Sequence, residues 1–484
     1  MSPTPGRRRV LVITHYFPPE VGAPQARLSE TARAWAAEGL EVTVLTGMPN
    51  HPTGVIPPEY RGALVRTEQV DGYRVLRTWL YATPNEGVVR KTLGHLSFMV
   101  TSVVLGGRHT GPCDVVMVSS PTFFPLASAW LLARRRRARL VVEVRDLWPA
   151  IFEHLGVLTN RRVLGLLERL ELAAYRAADT VVTVTEGFRD DIVRRGIPAA
   201  KVHVVRNGVD LDRFQPATAV PAGLRAQLGA PGDELLVLYV GAHGISHGLV
   251  SLADAAARLA RSDQDRARAV RFAFVGEGAD KRRLAEHVRT LGLTNTTLRD
   301  GVPRAQVPAV IAAADLCVVP LRDLPMFDTF IPSKMFELLA AGKPVIGTLR
   351  GEAAQILTAA GQVVVAPEDP VALADAVTRL AADPEQRARM ARDGRRYVER
   401  YFDRDVLAHN YRDLLFPPDT PSLPEIPGPA ATPPGQTGPD GPSAHAGPRG
   451  TTVPAQRLPL GLPPTADLPG GAGVRTERRP EGAA

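Results

Sequence analysis

The chain has 484 residues, of which 44% are hydrophobic and 22% charged, with a formal net charge of +8 and two cysteines. That length exceeds what one core usually holds and implies two domains with room for a tail. Two cysteines beside separate strand-like runs, Cys113 and Cys317, exclude a disulfide scaffold and a zinc module, so a cytoplasmic protein is expected.

The first residues, MSPTPGRRRVLVITHYFPPE, are not a secretory signal, because polar residues follow the short apolar run at once. VLVIT (10–14) reads as a buried strand, and ARLSETARAWAAEG as a helix ending at Gly39. Strands EVTVLTG (41–47), DVVMVSS (114–120), LVVEVRD (140–146) and TVVTVT (180–185) follow, with helical stretches such as VLGLLERLELAAYRAA between them. No stretch reaches the roughly 18 to 20 apolar residues of a membrane span; LSFMVTSVVL (96–105) is core or interfacial. Beyond 217 the alternation restarts with ELLVLYVG (234–241), RFAFVGEG (271–278), TTLRDG (296–301), LCVVPL (316–321), PVIGT (344–348) and QVVVAP (362–367). The pattern predicts two α/β, Rossmann-like, doubly wound domains at 1–216 and 217–400, then a closing helix at 401–416. The segment 417–484 holds 17 of the 44 prolines and no aromatic residue, so it is expected to be a disordered tail.

Open α/β sheets bind ligands at the carboxyl ends of their strands, which makes the residues just after each strand informative. In IPSKMFELLAAGKPVIGT (331–348), Pro332 and Ser333 predict a helix start whose free N–H groups suit a diphosphate. Lys334 would add a point charge, and Glu337, on the same helix face, could accept hydrogen bonds from ribose hydroxyls. The alternative is a capped helix carrying a surface Lys–Glu pair. Arg145 and Asp146 end a buried strand, where charge is costly unless paired or functional. Asp146 would orient a sugar with Arg145 in support, or the two would form a buried ion pair before Trp148-Pro149. His15 and Glu20 follow the first strand in a loop aimed at the cleft, and Gly22 permits close backbone approach to phosphate.

These stretches resemble retaining glycosyltransferase family 4, of the GT-B fold. IPSKMFELLAAGKPVIGT resembles its donor-binding segment, VVRNGVDLDRFQP (204–216) its strand-to-linker signature, and YVGAHGISHG (239–248) its glycine-rich loop; FVGEG and AADLCVVPL follow in order. VEVRDLWP (142–149) and HYFPPEVGAPQARL (15–28) look like the branch of N-acetylfucosamine and colanic-acid fucosyl transferases. The resemblance implies a nucleotide-sugar donor, UDP- or GDP-linked, held around Gly241, His243, His247, Ser333, Lys334 and Glu337, with the base near Val302 and Pro303. It implies no metal, no protein nucleophile and a leaving phosphate that helps take the acceptor's proton. Two departures stand out: Thr329 occupies the slot of the family's first glutamate, and His247 that of its diphosphate lysine.

The branch implies a glycan or lipid-linked acceptor in surface polysaccharide or glycolipid synthesis. An apolar run within 88–108 between Arg90-Lys91 and Arg108, with Arg134 to Arg137 and Arg139, suggests peripheral contact with an anionic inner membrane face. The alternative is a core helix and a solvated arginine turn. No aromatic-rich basic motif points to nucleic acid. Two other readings share the architecture: a sugar-nucleotide epimerase, for which no acid–base set around a sugar C2 can be assembled, and a non-catalytic nucleotide-sugar-binding protein.

Overall fold

The computed structural model describes residues 8–20, 22–51, 53–84, 88–120, 124–147, 160–217, 219–261 and 269–417. Arg7, Trp148-Pro149 and the tail from 418 onward lie outside the described residues.

Two sheets organise the chain. The first contains β1 (Arg9–Ile13), β2 (Glu41–Gly47), β3 (Val65–Val70), β4 (Tyr73–Thr78), β5 (Val115–Ser119), β6 (Arg139–Val144), β7 (Thr180–Thr183) and β8 (Val202–Val204), in the order β3-β4-β2-β1-β5-β6-β7-β8. The second contains β9 (Leu235–Val240), β10 (Val270–Val275), β11 (Thr296–Arg299), β12 (Leu316–Pro320), β13 (Val345–Thr348) and β14 (Val363–Val365), in the order β11-β10-β9-β12-β13-β14. The five neighbouring strand pairs described in the second sheet are all parallel. Its order is the doubly wound one, reversing direction between β9 and β12, where a ligand crevice opens. The first sheet reverses between β1 and β5.

The strands are apolar runs because both faces of a parallel sheet are covered by helices. Leu11, Val116, Val118 and Val142 build one core, and Val10, Val12, Val44 and Met117 build another on the opposite face of the same sheet. Leu235, Val237, Phe272, Phe274 and Val318 centre the core of the second sheet with the helix Leu249–Arg261.

One edge of the first sheet departs from the parallel plan. β3 pairs antiparallel with β4 through a tight Asp71-Gly72 turn in which both residues have positive φ, 46° and 85°. That geometry suits Asp-Gly and matches the twist of a hairpin.

The closing helix lies at Arg404–Leu415 and packs on the first sheet's side, not the second's. Ala408, Tyr411 and Leu415 join the core that contains Trp35, whose indole N–H donates to the Ala408 carbonyl at 2.8 Å. The chain thus crosses from the second sheet back to the first before its last described turn.

Candidate active site

The loop after β9 and the helix Lys334–Ala340 meet at the β9/β12 crevice. The Lys334 amine donates to the Tyr239 hydroxyl at 2.7 Å and stands 4.1 Å from the centre of that ring. A Cβ on Gly241 would lie 2.7 Å from the same amine, so glycine is required for the lysine to reach this place. Burial pulls the Lys334 amine down to about 7, against a smaller opposing pull from Glu337. Among the described residues no carboxylate stands within ion-pair distance of it; Glu337 instead faces Arg304 at 3.7 Å. The surface Lys–Glu pair is therefore not formed. Ser333 precedes the helix but makes no side-chain cap, its backbone being already helical, so the helix start rests on Pro332 and the turn itself.

His243 is fully enclosed, and among the described residues neither ring nitrogen has a hydrogen-bond partner; Nδ1 of His247 is likewise buried and unpartnered there. Burial first, then nearby lysines, pushes His243 down to about 4 and His247 to about 3, so both are neutral at physiological pH. Gly276 and Gly278 give the loop room: a Cβ on either would strike the backbone of Gly241 or His243. Val302 and Pro303 line a cavity beside β10 and β11 with Leu224, Val275 and Leu298.

Across the cleft, Asp146 lines a pocket with Arg27, Arg145, Thr185, Phe330 and Ile331, the last two immediately before the Lys334 helix. Burial raises the Asp146 carboxyl to about 6 in spite of Arg145. Arg145 serves other partners: its Nε donates to the Ser120 carbonyl at 2.6 Å and lies 3.9 Å from Glu143. Glu143 is the centre of this network, receiving Arg27 at 2.9 and 3.0 Å and the Ser119 hydroxyl at 2.6 Å. Burial pushes its carboxyl up, but Arg27, Arg145 and Ser119 together outweigh that and hold it below the ordinary range.

Four other expected residues are held by contacts of their own. Glu20 accepts backbone N–H bonds from Phe17, Asn50 and His51 at 2.8–3.0 Å, which makes it the organiser of two loops. His15 packs against His95, with Nδ1 atoms 3.3 Å apart, and against Phe98. Burial, then His95 and His51, keeps its imidazole neutral. Thr329 packs its methyl over Gly187, and next to it Phe330 meets Phe188 edge-on at 5.3 Å. Gly22 is extended, with the Gln25 side chain filling the space a Cβ would need.

The joint between the halves was not anticipated. Glu352 accepts from the Glu186 and Gly187 amides at 3.0 and 3.3 Å, at the start of the helix Glu186–Arg194, and from Arg206 at 3.1 Å. Arg304 links Glu337 to Glu30 at 3.0 Å. The partners that join one half to the other, Glu352 with Glu186, Gly187 and Arg206, and Arg304 with Glu30, are more than a hundred residues apart in sequence, and no local pattern reveals them.

Residues 22–208 match the family described as glycosyl transferase 4-like domain, and 223–397 that described as glycosyl transferases group 1. The chain is 31% identical to the Bacillus subtilis teichuronic acid biosynthesis glycosyltransferase TuaC, over 84% of this chain and 98% of that protein. It is a family 4 glycosyltransferase. The transferase is also 27% identical to WcaI of Escherichia coli K12, described as a colanic acid biosynthesis glycosyl transferase, over 83% and 98% of the two chains. Among solved structures, a sucrose-phosphate synthase from Thermosynechococcus elongatus superposes with a TM-score of 0.66 at 22% identity, covering 84% of this chain and 98% of its own. Anabaena HepE in complex with UDP gives 0.62 at 18%, covering 84% and 99%. The transferase therefore has the GT-B fold, two doubly wound halves with a cleft between them.

Proposed function

We propose that the transferase takes its sugar from a nucleoside-diphosphate donor, UDP- or GDP-linked, and passes it with retention to a glycan or lipid-linked sugar. The observation that carries this reading is the Lys334 amine, set deep beside Gly241 with a phenol as its acceptor and, among the described residues, no carboxylate within ion-pair distance. A desolvated amine without an anion is a site prepared for one. The diphosphate would lie between Lys334 and the Gly241–His247 loop, the ribose at Glu337 and the base against Val302 and Pro303. Asp146, across the cleft, would orient the reacting sugars and Arg145 would hold the strand end that carries it. Charge developing on the leaving phosphate is what such a site stabilises. The names of WcaI and TuaC support an acceptor in surface polysaccharide synthesis. Thermal shift against UDP-, GDP- and other nucleotide sugars tests the donor: a ligand that binds only the folded protein raises Tm. No shift with any member of the panel would contradict it.

The acceptor side carries an exposed apolar groove. The helix Val88–Thr101 buries Gly94 and Phe98 but leaves Leu93 and Val100 about half exposed, next to exposed Trp79 and Tyr81. Lys91 is exposed at its start, and Arg134, Arg135 and Arg137 are exposed on a neighbouring element. Arg136 and Arg139 instead donate to the Gly107 and Leu415 carbonyls at 2.5 and 2.8 Å, so only part of the arginine cluster faces solvent. This face fits an anionic membrane carrying a lipid-linked acceptor. Co-sedimentation with anionic vesicles should be lost in high salt and weakened by changing Arg134, Arg135 and Arg137 to glutamine, at about 1 kcal/mol per residue; no binding in low salt would refute it.

A further inference from the structure

Tyr239 lies in β9, fully enclosed, and opens the stretch YVGAHGISHG without being one of its candidate site residues. Its hydroxyl donates to the Ala242 carbonyl at 2.5 Å. A phenol has one proton, and that bond commits it. The oxygen is thereby turned to receive the Lys334 amine at 2.7 Å, while the ring face supports the same cation from 4.1 Å.

The other groups around the amine do not share this work. Glu337, on the same helix, lies beyond ion-pair distance and faces Arg304. His243 and His247, from the loop after β9, sit with ring centres 5.7 and 5.9 Å from that of Tyr239, and both are neutral. Lys281 adds repulsion at His243 but is itself occupied by Glu277 and Asp300.

We propose that Tyr239 is the positioning residue of the donor-diphosphate site, fixing the direction of the Lys334 amine and supplying a hydrogen bond that favours its charged form before a diphosphate arrives. This rests on the assignment of Lys334 to the diphosphate. The consequence is a proton balance. Lys334, brought to about 7 by burial, is partly neutral in the empty site at physiological pH, and a bound diphosphate recruits the charged form. Removing the phenol oxygen lowers the amine further, so that tight binding then requires a lower pH.

The test is calorimetric binding of UDP and of GDP, from about pH 5.5 to 8.5, to the unaltered protein, Tyr239→Phe and Lys334→Ala. Phenylalanine keeps the ring and removes only the oxygen. Tyr239→Phe should bind nearly as well as the unaltered protein at the acid end and about tenfold more weakly near pH 8, the effect of one pKa unit. Lys334→Ala should lack this pH-dependent difference; titration of the nucleotide's own phosphate is common to all three proteins and cancels in the ratios. A Tyr239→Phe curve lowered by one factor at every pH would mean lost packing and would overturn the inference, as would a curve that superimposes on the unaltered one. An unaltered protein that binds neither diphosphate would overturn the diphosphate assignment and the positioning role with it.

Discussion

The crevices of the two sheets both hold buried charge and dispose of it in opposite ways. At the first sheet, Glu143 is surrounded: Arg27 forks onto one oxygen, Ser119 takes the other, and Arg145 stands nearby. Arg27 continues to the Val205 and Arg206 carbonyls and to Asn207, tying the segment just after β8 to the first helix, Ala23–Ala37. At the second sheet, Lys334 has a phenol, and His243 and His247 have buried ring nitrogens with no partner among the described residues. A completed network of buried charge is scaffold, while polar groups left incomplete mark a place where a ligand completes them.

The sharpest way to break this contrast is to remove one member of the completed network. Glu143→Ala leaves Arg27 and Arg145 buried without their carboxylate and should destabilise the protein by about 3–5 kcal/mol. Denaturant unfolding measures this; a loss under 1 kcal/mol would mean that the network is not holding the crevice together.

Asp146 sharpens the contrast, because it is two residues beyond β6 and lines the cleft without joining the Glu143 network through any described hydrogen bond. Asp146→Asn should reduce transfer by roughly 10- to 100-fold, the scale of one charged hydrogen bond. If its carboxylate is the working form, activity of the unaltered protein falls as pH drops through about 6. The stability sign runs the other way. A carboxyl raised by burial favours the folded state at low pH and ceases to do so as pH rises through about 6. At pH 8 the asparagine variant should therefore melt no lower than the unaltered protein. A variant both active and less stable would place Asp146 in the scaffold.

Much of the fold was legible because parallel strands buried on both faces announce themselves as apolar runs. EVTVLTG became β2 at the expected residues, and PVIGT became β13 less its proline. The β3–β4 hairpin was overlooked, although Asp71-Gly72 between alternating residues is a hairpin signal. At the site, the spacing of Lys334 and Glu337 placed both near the cleft and left a surface Lys–Glu pair as the alternative. The three-dimensional competition decided against that pair, since Tyr239 and Arg304 approach from elements far away in sequence. Tyr239 itself looks like any aromatic strand residue, and Glu352 like any helical carboxylate. Their roles depend on contacts across the sheet and across the cleft, which a periodicity does not encode. Ser333 failed as a cap because its backbone is already helical.

The central claim is that the incomplete polar site at Lys334 is completed by the donor's diphosphate. The most direct measurement is calorimetric binding of nucleoside diphosphate to Lys334→Ala near neutral pH, with Tm recorded alongside. Loss of one charge-assisted contact is worth about 1.5–3 kcal/mol, so affinity should fall roughly 10- to 100-fold. The Tm should hold or rise, because a buried amine whose pKa is depressed costs folding free energy at pH below its unfolded value. Unchanged affinity together with a lowered Tm would contradict the account and make Lys334 a structural lysine.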